Sequence, residues 1–82
     1  MKYTDIPENM MIAINEYVDN GRPLGGFLKA VFANDLYQAI ARADDESLDL
    51  LRTYVSYVHW ETHDDCNGSY EKIKNWIDSK NP

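Results

Sequence analysis

The sequence predicts an all-α fold: a compact single-domain bundle of four to five short helices. Three observations predict it. Apolar residues recur at three- and four-residue spacing through most of the 82-residue chain, no stretch alternates with period two, and Gly and Pro together number only seven. The length allows one domain, residues 1–82. A chain this small buries only ~60–65% of the surface it exposes when unfolded, so assembly with further copies would support a thin core.

The first helix is announced by Thr4-Asp5-Ile6-Pro7-Glu8, with capping side chains, a proline near the first turn and then an acid. Met11, Ile14 and Val18 follow on one stripe, widened by Met10 and Tyr17, and Asn20-Gly21 stops it. Arg22-Pro23-Leu24-Gly25-Gly26 is a turn. It opens an apolar run of Phe27, Leu28, Val31 and Phe32, continued by Leu36, Ala39 and Ile40. Two readings of residues 26–43 stand side by side. Either Asn34 ends one helix while Asp35, with Gln38 three residues on, caps the next, or one helix runs throughout. Asp44-Asp45-Glu46-Ser47 starts a further helix, expected to reach Thr62, with Leu48, Leu51, Val55 and Val58 inward and Leu50, Tyr54 and Tyr57 widening the stripe. Residues 63–68 form a loop. Ser69 then caps a last helix with Tyr70, Ile73, Trp76 and Ile77 inward.

Charge and composition narrow the function. Net charge is −6, and residues 44–65 hold seven of the 14 acids against Arg52 alone. Such a chain gains nothing from counterion release at a phosphate backbone, so duplex nucleic acid is not an expected partner. The acidic segment is either a solvated face or a mimic of nucleic-acid charge aimed at a host protein. No apolar run approaches the ~20 residues of a membrane span, and the first residues do not form a signal peptide. The single Cys66 fits a reducing, cytoplasmic setting.

Two clusters carry candidate chemistry. His59 and His63 stand four apart, with Asp64, Asp65 and Cys66 close behind, a donor set zinc accepts. Glu61, however, lies two residues after His59 rather than directly after it, as a metalloprotease helix requires, so no metal and no catalytic residue is assigned. A domain of this size hardly encloses a catalytic cleft, so the chain is expected not to be an enzyme. The most informative stretch is the turn before Phe27. Helix-start amides lack intrahelical partners, Gly25 and Gly26 leave them open, and Arg22 lies within reach of a phosphate. Phe27 belongs to that candidate seat, with Arg42 adding a cation and Tyr37 a stacking ring. No Lys-Ser/Thr pair follows the glycines, so this is no Walker A motif, and no cofactor is expected.

Ile6-Pro7-Glu8, Tyr17-Val18-Asp19-Asn20-Gly21, Pro23 with Gly25 or Gly26 before Phe27-Leu28, Ala30-Val31, Asn34-Asp35-Leu36, Ala41-Arg42-Ala43-Asp44, and Cys66 with Gly68-Ser69 form a pattern across about residues 6–77. Together they resemble a family of short tailed-phage and prophage proteins. Leu24 departs from it, where the family tends to carry a second proline, and so does Asn67, where it carries an aromatic. His59 and His63 lie outside the pattern. The resemblance implies a phage accessory protein acting in the infected bacterium's cytoplasm, without supplying an activity. Joined to the open turn, it leads to the expectation of a non-enzymatic counter-defence protein that sequesters a nucleotide-type immune messenger in a homo-oligomer. The rivals are an acidic inhibitor of a host defence or nucleic-acid-processing protein, and a small metal protein or enzyme using His59, His63 and Cys66.

Overall fold

The computed structural model describes residues 2–82. It is all-α, with six helices and no strand among the described residues: α1 (Glu8–Asn20), α2 (Gly26–Phe32), α3 (Leu36–Arg42), α4 (Asp45–Asp49), α5 (Leu51–Glu61) and α6 (Tyr70–Lys80). A 3₁₀ turn at Tyr3–Asp5 precedes α1, and another at Asp64–Cys66 lies in the loop before α6. The molecule measures 36 × 24 × 19 Å. No helix among the described residues is long and apolar enough to cross a membrane.

The centre is α2. Phe27, Leu28, Ala30, Val31 and Phe32 are all buried, leaving Gly26 and Lys29 as its exposed residues. A helix apolar on nearly every side must be wrapped by others. α3 folds back on α2, while α5 and α6 pack against its flanks. Tyr17 of α1 reaches the Phe32 ring edge-on at 5.0 Å, and Phe27 meets Tyr54 of α5 at 5.2 Å. The 3₁₀ turn at Tyr3–Asp5 closes one end, with Ile6 buried and Tyr3 edge-on to Tyr57 at 5.1 Å.

Helix boundaries follow the local chemistry closely. Pro7, not Thr4 or Asp5, occupies the N-cap position of α1, because those two residues lie within the preceding 3₁₀ turn. Gly21 ends the helix at φ 69°, where the αL conformation favours a residue without a Cβ. A Cβ on Gly21 would stand 2.5 Å from the Cβ of Lys80, so glycine also lets the end of α6 lie across the end of α1. Between α2 and α3 the two-helix reading holds. Asn34 takes φ 60°, its N–H bonds the Val31 carbonyl at 3.2 Å, and the Asp35 N–H bonds the Ala30 carbonyl at 2.9 Å. That is a Schellman ending with Asn at the left-handed position. Asp35 then caps α3 by accepting the Gln38 N–H at 3.1 Å, as Asp44 caps α4 through Ser47 and Ser69 caps α6 through Lys72.

Three sequence expectations need correction. The helix expected from Asp44 to Thr62 is two helices, because Leu50 (φ −99°, ψ 8°) leaves helical geometry. The apolar rows of α4 and α5 therefore do not align: Ser47, Thr53, Tyr54 and Val58 turn inward, while Leu48 and Val55 remain exposed. In α3 only Ala39 is buried, and Leu36 and Ile40 face outward. Tyr70 is also exposed, because its hydroxyl donates a 2.6 Å hydrogen bond to the Asp35 carboxylate at the surface.

Candidate functional site

Two cations from different helices meet at one hollow. Lys29 is an exposed position on the otherwise buried α2, and Arg42 is the last residue of α3. The return of α3 across α2 brings them together, and the first residue of α6, Tyr70, forms a further wall. The hollow is open to solvent, has a volume of about 480 Å³, and is lined by Leu24, Gly26, Lys29, Gln38, Arg42 and Tyr70.

Its polar geometry is set by short bonds. Arg42 donates from Nε to the Gln38 side-chain oxygen at 3.2 Å, which fixes the guanidinium plane and leaves its two terminal nitrogens for another acceptor. The guanidinium lies across Gly26, with Nη1 3.0 Å from the point a Cβ there would occupy. The absence of a side chain at Gly26 thus serves the close approach of Arg42. Lys29 Nζ stands 5.9 Å from the centroid of the Tyr70 ring. Neither Lys29 nor Arg42 forms an ion pair among the described residues. The nearby carboxylate, Asp35, is already engaged. The Tyr70 hydroxyl and then the Gln38 N–H hold it below the usual carboxylate range, and the same bond raises the Tyr70 phenol.

The sequence-predicted residues divide. Gly26 and Arg42 line the hollow. Phe27 is buried with its ring against Tyr54, so its contribution is to the core. Gly25 stands at the start of α2 with open space around it. Arg22 lies outside the hollow, 74% exposed, with Nε 3.9 Å from a Glu16 carboxylate oxygen. Tyr37 is 79% exposed and is not among the lining residues. Leu24, Lys29, Gln38 and Tyr70 are the lining residues that sequence reasoning missed. A lone cation within the apolar run of α2 was the available signal for Lys29. α2 has only seven residues and hence few aligned peptide dipoles, so the positive charge here comes from side chains more than from the helix start.

The other clusters do not converge. α5 ends at Glu61, so His63 falls outside it and does not share a helix face with His59. His63 accepts the Asp65 N–H at Nδ1 and stacks on Trp76 at 5.6 Å, whereas His59 lies edge-on to Trp60. The buried Cys66 thiol donates to the His63 carbonyl at 3.0 Å. No group of three or more His, Cys, Asp or Glu suited to a metal ion occurs among the described residues. Within residues 44–65, Asp44 serves as a cap, and the other six acids are exposed.

In comparisons with known proteins, no family model, no curated protein and no solved structure matches the chain.

Proposed function

We propose that this chain is a non-catalytic binding protein that holds a phosphate-bearing, nucleotide-type small molecule in the Lys29–Arg42 hollow. The observation that supports the reading is the pairing itself. In a chain of net charge −6, two cations without ionic partners among the described residues converge on one open hollow from separate helices. The general field of the molecule repels anions, so recognition of one needs such local concentration of positive charge. Arg42, oriented by Gln38, is suited to bidentate contact with a phosphate, and Lys29 acts as a mobile point charge. Tyr70, rather than Tyr37, supplies the ring beside which a base would lie. The resemblance to phage accessory proteins supplies the biological setting: cytoplasmic counter-defence, with an assembled chain sequestering a host immune messenger.

The test is isothermal titration calorimetry with cyclic dinucleotides and ADP-ribose derivatives. Heat is expected with one of these, lost in Lys29→Ala and Arg42→Ala and retained in Arg22→Ala, with affinity falling as salt rises. No heat with any of them overturns the reading. The rival reading, an acidic inhibitor of a host protein, draws support from the exposed Asp45, Glu46 and Asp49 around α4. It predicts capture of a host protein that is lost when these three become Lys and kept in Arg42→Ala.

A further inference from the structure

We infer that the ligand of the Lys29–Arg42 hollow carries a single base, and that this base lies in a second hollow running along α6. The inference rests on the reading given above; it adds where the uncharged end of the ligand goes and which class of nucleotide that selects. The second hollow has a volume of about 370 Å³ and adjoins the first, because Lys29 and Tyr70 line both. Its other lining residues are Ile73, Lys74, Ile77 and Asp78. Each hollow falls within the range of about 300–1,000 Å³ usual for small-molecule sites.

Helical spacing makes the second hollow one surface. Tyr70, Ile73, Lys74, Ile77 and Asp78 follow one another at three- and four-residue intervals, so they share a face of α6. From Tyr70 to Ile77 that face is about 10 Å long at 1.5 Å per residue, room for a base and its ribose. Ile73, which is buried, and Ile77, which is half-buried, give it an apolar floor. Tyr70 stands between the two hollows as a partition. Its hydroxyl is held by the Asp35 carboxylate at 2.6 Å, and Lys29 Nζ lies 5.9 Å from its ring centroid.

Charge sets which end of the ligand goes where. The first hollow holds Lys29 and Arg42, neither of them in an ion pair among the described residues. In the second, Lys74 Nζ bonds the Asp78 carboxylate at 3.1 Å, so those two charges offset each other. Phosphates therefore gain at Lys29 and Arg42 and gain little further along α6. An uncharged ring gains apolar contact on Ile73 and Ile77 and keeps its polar edge at the Lys74–Asp78 rim. The ligand thus runs from phosphate, past Tyr70, to base. Apart from Tyr70, Leu24 is the one apolar side chain lining the first hollow, which leaves no matching seat for a second base. A cyclic dinucleotide, whose two bases flank its phosphates, is disfavoured against a nucleoside diphosphate or a derivative built on one.

Titration calorimetry with pyrophosphate, ADP and cyclic di-AMP tests the inference. Pyrophosphate and ADP carry similar negative charge, so the comparison isolates the adenosine. ADP is expected to bind about tenfold or more tightly than pyrophosphate, the scale of one well-seated base, and also more tightly than cyclic di-AMP. In amide NMR of the wild-type chain, both pyrophosphate and ADP should shift Gly26 and Arg42, and ADP alone should shift Ile73, Lys74 and Ile77. Ile77→Asn should remove most of the gain of ADP over pyrophosphate, and the wild-type shifts decide the matter if that variant does not fold. Equal affinity for ADP and pyrophosphate, ADP shifts that stop at Tyr70, an undiminished gain in folded Ile77→Asn, or tighter binding of cyclic di-AMP overturns the inference. Any of these results alongside pyrophosphate binding leaves the Lys29–Arg42 reading standing. Failure of all three compounds to bind sinks that reading and this inference with it.

Discussion

Replacing Tyr17 by Phe isolates one bond that joins distant parts of the chain. Tyr17 is fully buried, and its hydroxyl donates to the Cys66 carbonyl at 2.6 Å across 49 residues of sequence. The ring also packs edge-on against Phe32, and the variant keeps that contact. What changes is that a buried carbonyl loses its donor. Leaving such a group unsatisfied costs about 1–3 kcal/mol. In a domain of this length each kcal/mol moves Tm by roughly 4–8 °C, so a fall of about 4–24 °C is expected. Urea unfolding followed by far-ultraviolet circular dichroism measures the loss directly. Tyr37→Phe is the control, because that side chain is exposed and its change should stay within about 0.5 kcal/mol. If Tyr17→Phe unfolds at the same midpoint as the control, the argument that this bond anchors the loop before α6 is wrong.

Further predictions concern backbone and pH. Asn34→Ala should cost about 1 kcal/mol, because φ 60° is strained for alanine, whereas Asn34→Gly should not lower the urea midpoint. Gly21→Ala combines left-handed strain with a Cβ 2.5 Å from that of Lys80, so its melting point should fall, and an unchanged melt contradicts that packing. Burial raises the phenols of Tyr17, Tyr54 and Tyr57. Their stabilisation is complete below the unfolded value of about 10 and declines as pH rises above it, which phenolate absorbance and circular dichroism followed together would detect. Asp35 and Asp44 are lowered by the bonds they accept, so their contribution is present above about pH 4 and is lost as pH falls below it.

Much of the fold was legible because its signals are local. Gly21 as a stop, Asp35 with Gln38, Asp44 with Ser47, and Ser69 with Lys72 all act within a single turn of chain. The break at Leu50 was not legible, since apolar and helix-compatible residues continue on both sides of it. The candidate hollow was half legible for a related reason. Proximity in sequence placed Arg22 beside Gly25 and Gly26, but the folded chain leaves it at the exposed end of α1 near Glu16. Arg42 and Tyr70 reach Gly26 and Lys29 only through the packing of α3 and α6 on α2, and the Tyr70–Asp35 bond spans 35 residues. Contacts of that range leave no periodic trace in a single sequence.

The claim on which the functional account turns is that Lys29 and Arg42 take up one anion together. Two-dimensional amide NMR of the labelled chain, titrated with pyrophosphate and then with ADP-ribose, tests it most directly. Saturable shifts concentrated at Gly26, Lys29, Gln38, Arg42 and Tyr70 are expected, and they should disappear in Arg42→Ala. Shifts centred on Arg22, or none that saturate, would contradict it.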